Sequence, residues 1–421
     1  MKFQSVRGTH DILPAEAAQF HQVESAARNV FERFGFEEIR TPTFESLSLF
    51  HRSLGETTDV VEKEMYAFED RGGRKLALRP EGTAGVVRAF VEHHLDQIRP
   101  FCKLFYIGPM YRAERPQAGR YREFWQIGAE SFGNASPAAD AETLLLVQTL
   151  FDSLKIKDFQ LKINSLGDEK CRPLYRRALT EFLEKEKSNL CEDCRRRMVI
   201  NPLRVLDCKI DGPRLGGLPT VDAYWCDECR SHFDSTRNLF EKAGGRFVFV
   251  PKLVRGLDYY SRTVFEVTAD ISGAQDALAA GGRYDGLVKD IGGPNMPALG
   301  FALGMERTVE AWKASQGESA PGRHRLVFIA AQAPEVIAEA FQLLEELRLD
   351  QVLRDASIDI EGGFFEKKLG AQLSIADRLG ASHCVIVGQD EIRSNEVTLR
   401  SLKTSSQERI PRARLISRLI E

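Results

Sequence analysis

A chain of 421 residues, 43% apolar and 28% charged, has the makeup of a folded protein of two to four domains, which excludes collagen-like, mucin-like and largely disordered classes. Its formal net charge of −3 selects no partner class. No apolar run approaches the ~18 residues of a membrane helix, and residues 1–8 have no apolar h-region, so the chain reads as cytoplasmic with no membrane partner. In that compartment its eight cysteines read as free thiols or metal ligands before disulfides.

The first element is a helix. Asp11 and Pro14 mark its start, Phe20, Val23, Ala27, Val30, Phe31 and Phe34 recur at helical spacing, and Gly35 stops it. Phe36 to Arg40 then reads as a strand running into Thr41-Pro42. Strands rich in Phe, Val, Ile and Tyr are expected at 101–108, 122–132, 158–164, 246–250 and 263–269. No regular crossover helices separate them, which favours an antiparallel α+β sheet over a doubly wound one. Residues 171–245 hold six of the eight cysteines, two helical stretches and several loops, and form a candidate inserted domain. Residues 314–324 have linker composition, with 316–324 as the linker proper. Beyond them strand 325–330, helix 334–347, strand 357–361, helix 366–379 and strand 383–387 alternate as in a small α/β domain.

Charge is uneven along this neutral chain. Arg112, Arg115, Arg120 and Arg122 face only Glu114 between two strands, and six basic residues against two acidic ones lie from Arg400 to Glu421. Guanidinium forks grip phosphate and carboxylate, and Phe124 or Trp125 offers a face to a base. There is no P-loop and no dinucleotide-binding glycine fingerprint, so a nucleotide would be held on a sheet by arginines. The cysteines Cys191, Cys194, Cys226 and Cys229 form two Cys-x-x-Cys knuckles with the four thiolates of a closed structural zinc site. The 31 residues between knuckles exceed the usual ribbon gap of ~15–20, Cys208 is an alternative ligand, and reduced structural cysteines are the other reading.

The arginine-rich segment Tyr111 to Gln126 resembles motif 2 of class II aminoacyl-tRNA synthetases, in the form of the histidyl-tRNA synthetase family. Four more segments agree in order: Leu78-Arg79-Pro80-Glu81-Gly82-Thr83, Leu253 to Tyr260, Ala279-Ala280-Gly281-Gly282-Arg283-Tyr284-Asp285, and Gly300 to Arg307. The resemblance implies a catalytic domain of 1–170 and 246–315 with an antiparallel sheet, an insertion of 171–245, and an anticodon-binding domain of 325–421. It implies a homodimer through motif 1, Gly35 to Glu45, and a reaction in which L-histidine and ATP with Mg2+ give histidyl-adenylate before transfer to tRNA-His.

Roles implied residue by residue follow. Glu81 and Thr83 would hold the histidine ammonium, Gln126 its polar groups, and Glu130 and Tyr260 the two imidazole nitrogens, with Tyr259 and Tyr284 lining the pocket. An imidazole has two distinct nitrogens, and a site that bonds both rejects apolar isosteres. Arg112 would hold the α-phosphate and the histidine carboxylate, Arg307 the γ-phosphate, and Phe124 would stack on adenine beside Glu114 and Arg120. Arg255 would carry most of the rate by stabilising charge on the α-phosphate as it is attacked. Arg115 and Gln117, at the motif 2 loop tip, would meet the acceptor end of the tRNA. The competing reading is a non-catalytic, histidine-sensing regulatory subunit of ATP phosphoribosyltransferase, which typically lacks the last domain and much of the ATP site.

Overall fold

The computed structural model describes residues 3–55, 58, 60–115, 119–257, 259–271, 274–316 and 325–421. They form two compact units, residues 1–317 and 318–421. The first is built on an eight-stranded sheet in the order Glu37–Glu38, Cys102–Tyr111, Glu123–Phe132, Ala298–Gly304, Ala274–Arg283, Ser261–Ile271, Gln160–Ser165 and Val248–Phe249. The inner six strands are antiparallel neighbours. Each two-residue edge strand pairs in parallel, so the sheet is mixed, where the sequence suggested an antiparallel one. Chains entering from the first helix and leaving the insertion arrive at the edges in the direction of their neighbours, and strands so short add little to the ladder.

The period of two decides what each face of this sheet does. On one face lie Phe105, Ile127, Ala129, Phe265, Val267, Ala279, Phe301 and Leu303, all in the main core. Helices Pro14–Arg33, Pro137–Ser153 and Met305–Gln316 cover it with Phe31, Leu144, Val147, Phe151, Val309 and Trp312. The first helix buries Phe20, Val23, Ala27, Val30 and Phe31, the stripe expected from its spacing. The opposite face is polar and studded with small residues. One row across the strands runs Tyr106, Gly128, Ala302, Ala280, Glu266 and Lys162, and the next runs Leu104, Glu130, Gly300, Gly282, Val264 and Asn164.

The insertion differs from its expected bounds. Its own core gathers Tyr175, Leu179, Leu183, Leu190, Cys194, Met198, Val205 and Val221 from helices Arg172–Lys185 and Glu192–Ile200 and the turns after them. Helix Asp227–Lys242 instead places Phe233 and Phe240 in the main core and packs on helix Pro137–Ser153. Thr236 donates to the Pro137 carbonyl at 3.4 Å, and Gln148 Nε2 donates to the Gly244 carbonyl at 3.3 Å. The part that folds around its own core therefore ends before residue 227. Cysteine content marked the segment in sequence, but the apolar stripe of this helix serves a different core.

The second unit has a five-stranded sheet in the order Ile358–Glu361, Arg325–Ala331, His383–Val387, Glu396–Ser401 and Gln407–Pro411. Its first three strands are parallel, as the alternation of strand and helix requires. The antiparallel pair Glu396–Ser401 and Gln407–Pro411 was not expected. Apolar clusters cover both faces, around Ile329, Leu343 and Val385 on one side and Phe328, Ala376 and Cys384 on the other.

Candidate active site

A cavity of about 620 Å3 opens over the polar sheet face. Arg112, Glu114, Arg120, Phe124, Gln126, Arg255, Tyr260 and Arg307 all line it. Its floor is Ala280, Ala302 and Gly304, whose lack of bulk lets a ligand lie on the strands. Glu81, Thr83, Glu130 and Tyr284 form a second, buried group, and half-buried Tyr259 packs against Tyr260 and Tyr284.

In that buried group Glu130 is wholly enclosed. Thr83 Oγ1 donates to its Oε1 at 2.7 Å, and the Tyr284 hydroxyl donates to its Oε2. Burial pushes the Glu130 carboxyl up to about 8, the two hydroxyls opposing the shift. The space it occupies exists because residue 300 is glycine: a Cβ there would stand 1.8 Å from Oε2. Gly82 and Gly128 likewise make room for the Tyr106 ring, which a Cβ on either would meet at 2.2 or 2.3 Å. Tyr106 drew no notice in sequence, one aromatic among several in an apolar strand; its buried hydroxyl has no hydrogen-bond partner among the described residues. Glu81 stands before helix Thr83–Glu92 and accepts from the Thr83 and Ala84 backbone N–H groups at 2.7 and 2.9 Å. It thus closes the helix end, and burial raises its carboxyl.

The arginines are held at set points around the cavity. Arg112 donates from Nε to the Pro80 carbonyl at 2.9 Å, and its guanidinium lies over the Phe124 ring at 5.2 Å. Glu114 sits between Arg112 at 3.7 Å and Arg120 at 3.3 Å. Arg307, in the first turn of helix Met305–Gln316, donates to the Gly119 and Ala277 carbonyls, each at 3.2 Å. Arg255 pairs with Glu266 at 2.6 Å, while its Nε has no acceptor among the described residues. Gln126 Oε1 is also buried and unpaired there. A polar cavity with several fixed guanidinium groups and spare donors and acceptors suits a polyanionic ligand carrying further polar groups. Arg115 is exposed, and Gln117 lies outside the described residues.

Several cavity residues were not foreseen. Arg204, Asp207 and Lys209 reach it from the insertion, and Glu266 and Glu306 come from the sheet and the helix that follows it. Arg204 donates to the Gly256 carbonyl beside Arg255. Glu306 accepts from the Trp125 N–H at 2.8 Å, and burial lifts its carboxyl to about 7. No local spacing marks Arg204 or Asp207, because only the fold of the insertion brings them to the sheet. Arg283, inside a quoted signature, is not in the cavity. It is fully buried and bound to Asp140, Asp285 and the Asn134 carbonyl, so it ties the sheet to helix Pro137–Ser153.

The cysteines do not form the expected four-thiolate site. Cys191 and Cys194 group with Cys208 and Asp211, whereas Cys226 and Cys229 group with Cys171 and Asp168. Each knuckle opens a different helix, and each finds its partners in a different turn.

The profile for histidyl-tRNA synthetase matches residues 8–184 and 222–308, and that for an anticodon binding domain matches 327–421. The chain belongs to the histidyl-tRNA synthetase family. The histidine–tRNA ligase of Aquifex aeolicus is 47% identical over 412 residues, covering 97% of this chain and 99% of that relative. The histidine–tRNA ligase of Endomicrobium trichonymphae is 46% identical over 407 residues, covering 97% and 98%. The apo histidyl-tRNA synthetase of Staphylococcus aureus superposes with a TM-score of 0.81 at 32% identity, covering all of both chains. A Bacillus halodurans structure described as an ATP phosphoribosyltransferase regulatory subunit/histidyl-tRNA synthetase shares the fold, with a TM-score of 0.67 at 21% identity over 92% of this chain. The synthetase profile is interrupted at 185–221, within the segment that folds around its own core, and resumes before helix Asp227–Lys242.

Proposed function

We propose that this chain attaches histidine to tRNA-His in two steps at the cavity over the sheet, by way of histidyl-adenylate. The observation that carries the reading is the convergence of Arg112, Phe124, Arg255 and Arg307 on one cavity, backed by a buried group whose only carboxylates are Glu81 and Glu130. In this reading Glu81 and Thr83 receive the ammonium, Glu130 and Tyr260 the imidazole, and Gln126 the remaining polar groups. Tyr259 and Tyr284 wall the imidazole pocket. Arg112 and Arg307 hold the ends of the triphosphate, and Phe124 offers its free face to adenine between Glu114 and Arg120. ATP would come with Mg2+, whose charge would offset that of the phosphates. Arg255 acts on the α-phosphate, and its unpaired Nε supports that assignment.

Residues 325–421 bind the anticodon end of tRNA-His, Arg115 and Gln117 meet its acceptor end, and residues 316–324 link the two units. The active form is a homodimer in the cytoplasm. Among the described residues no helix is long and apolar enough to cross a membrane. The regulatory-subunit reading is set behind this one, because a full anticodon-binding match and the triphosphate arginines are both present. Charging of a tRNA-His transcript with labelled histidine tests the proposal. Histidine-specific, ATP-dependent charging supports it, and histidine binding without any charging contradicts it.

A further inference from the structure

Six of the eight cysteines fall into two groups, with one aspartate in each, and the ligand atoms of each group lie within 4.8 Å of one another. Both groups are built alike, from two pairs of residues spaced i, i+3. One pair is a Cys-x-x-Cys opening a helix: Cys191-Cys194 at Glu192–Ile200, and Cys226-Cys229 at Asp227–Lys242. The other combines one cysteine with one aspartate: Asp168-Cys171 before helix Arg172–Lys185, and Cys208-Asp211 in a turn. The Cys191 and Cys208 sulfurs are 3.9 Å apart, and so are Cys226 Sγ and Asp168 Oδ2. The edge of a tetrahedron with 2.3 Å metal–sulfur arms is about 3.8 Å.

Surrounding donors point at the ligand atoms, as they do around metal-bound thiolates. The Cys226 N–H donates to Cys171 Sγ at 3.0 Å, and the Asp211 N–H to Cys208 Sγ at 3.4 Å. The Cys191 N–H donates to Asp211 Oδ2 at 2.9 Å. Three soft thiolates and a carboxylate, with no open position, are a donor set for tetrahedral zinc. We propose that the chain binds two structural zinc ions, one held by Asp168, Cys171, Cys226 and Cys229 and the other by Cys191, Cys194, Cys208 and Asp211.

The two ions do different things. The first joins the chain where it leaves strand Gln160–Ser165 to the helix that returns it to the main core, so it closes the base of the insertion. The second fixes the turn that follows Arg204 and Asp207, both in the cavity wall. Through the Arg204 bond to the Gly256 carbonyl, it holds the backbone next to Arg255. This last consequence rests on the adenylation reading proposed above, whereas the metal content does not.

The test is zinc analysis of the full-length protein purified without chelators, with the metal released by an organomercurial and counted. Two zinc ions per chain are expected. Asp168→Asn with Cys171→Ser, and Cys208→Ser with Asp211→Asn, should each reduce the count to one. Neither double variant touches the Cys-x-x-Cys knuckles, so an unchanged count in both would overturn the pairing. Should a variant fail to fold, the wild-type count decides: one zinc or none, or iron in its place, overturns the proposal. Histidine-dependent pyrophosphate exchange should fall at least tenfold in the Cys208→Ser, Asp211→Asn variant and stay within about twofold in the other. Equal losses would contradict the separate role of the second ion. A wild-type protein with two zinc ions and no exchange would instead refute the adenylation reading alone.

Discussion

Glu130 shows how burial and chemistry meet at a single residue. Its carboxyl is raised from 4.5 to about 8, mainly by loss of water. The folded protein therefore holds this proton at pH values where the unfolded chain has released it. Its stabilising contribution is complete below about pH 4.5 and is lost as the pH rises through about 8. Urea unfolding of the unliganded protein should reveal this as a downward stability slope between pH 5 and 8. Glu130→Gln should flatten that slope by up to about 1.4 kcal/mol per pH unit; equal slopes in both proteins would show that Glu130 does not titrate in this range. Arg255 makes a second residue-scale case. Its ion pair with Glu266 holds the guanidinium at the cavity, so the group is placed before substrate arrives. Loss of one such preorganised donor costs about 10²–10³ in rate. Arg255→Ala should lower kcat for adenylate formation by that order and change the histidine KM far less. A raised KM with kcat intact would assign Arg255 to ground-state binding. The resemblance named Arg255 because it lies in a contiguous motif, and Glu130 because it follows one on the same strand. Arg204, Asp207 and Glu266 escaped notice, since only strand register or the path of the insertion brings them to the cavity, and Tyr106 did so because only register sets it beside Gly128.

Among the elements, strand Ala298–Gly304 is the one whose glycine decides the pocket. Gly300 stands opposite Glu130, and a methyl group there would overlap its carboxylate. Gly300→Ala should destabilise the protein by about 1–3 kcal/mol through overpacking and raise the histidine KM, both read from one preparation by denaturation and exchange kinetics. Loss of stability with unchanged histidine binding would mean that Glu130 is only structural. Helix Asp227–Lys242 makes the complementary case. Phe240 sits in the main core, so Phe240→Ala should cost about 3–5 kcal/mol in the unfolding of the catalytic unit. A small cost would return this helix to an independent insertion. Strands and helices with strong periodicity were legible along the chain, the first helix and strands Cys102–Tyr111, Glu123–Phe132 and Ser261–Ile271 within a few residues of their observed ends. The edge strands were expected at 36–40 and 246–250, longer than the two residues each that pair, whereas strand Ala274–Arg283 and the hairpin at 396–411 were not expected. Strand Ala274–Arg283 is mostly alanine and glycine and so lacks a strand composition, and the hairpin strands alternate charged and apolar residues in a stretch that reads as a basic patch.

At the scale of the whole molecule, two units with separate apolar cores divide the work. The proposed reading puts the catalytic chemistry in the first, so a chain ending at residue 316 should retain histidine-dependent exchange. The same truncation should lose at least tenfold in tRNA charging, because the anticodon-binding unit is gone. Parallel losses in the two assays would show that the second unit supports the first step as well. On the proposed reading, the arginines around the cavity would separate an adenylating enzyme from a histidine sensor of the same fold. The most direct measurement is ATP–pyrophosphate exchange by the full chain with each amino acid in turn. The account predicts exchange that depends on histidine, is negligible with the others, and collapses in Arg255→Ala. Histidine binding without exchange would contradict it and leave the chain a sensor.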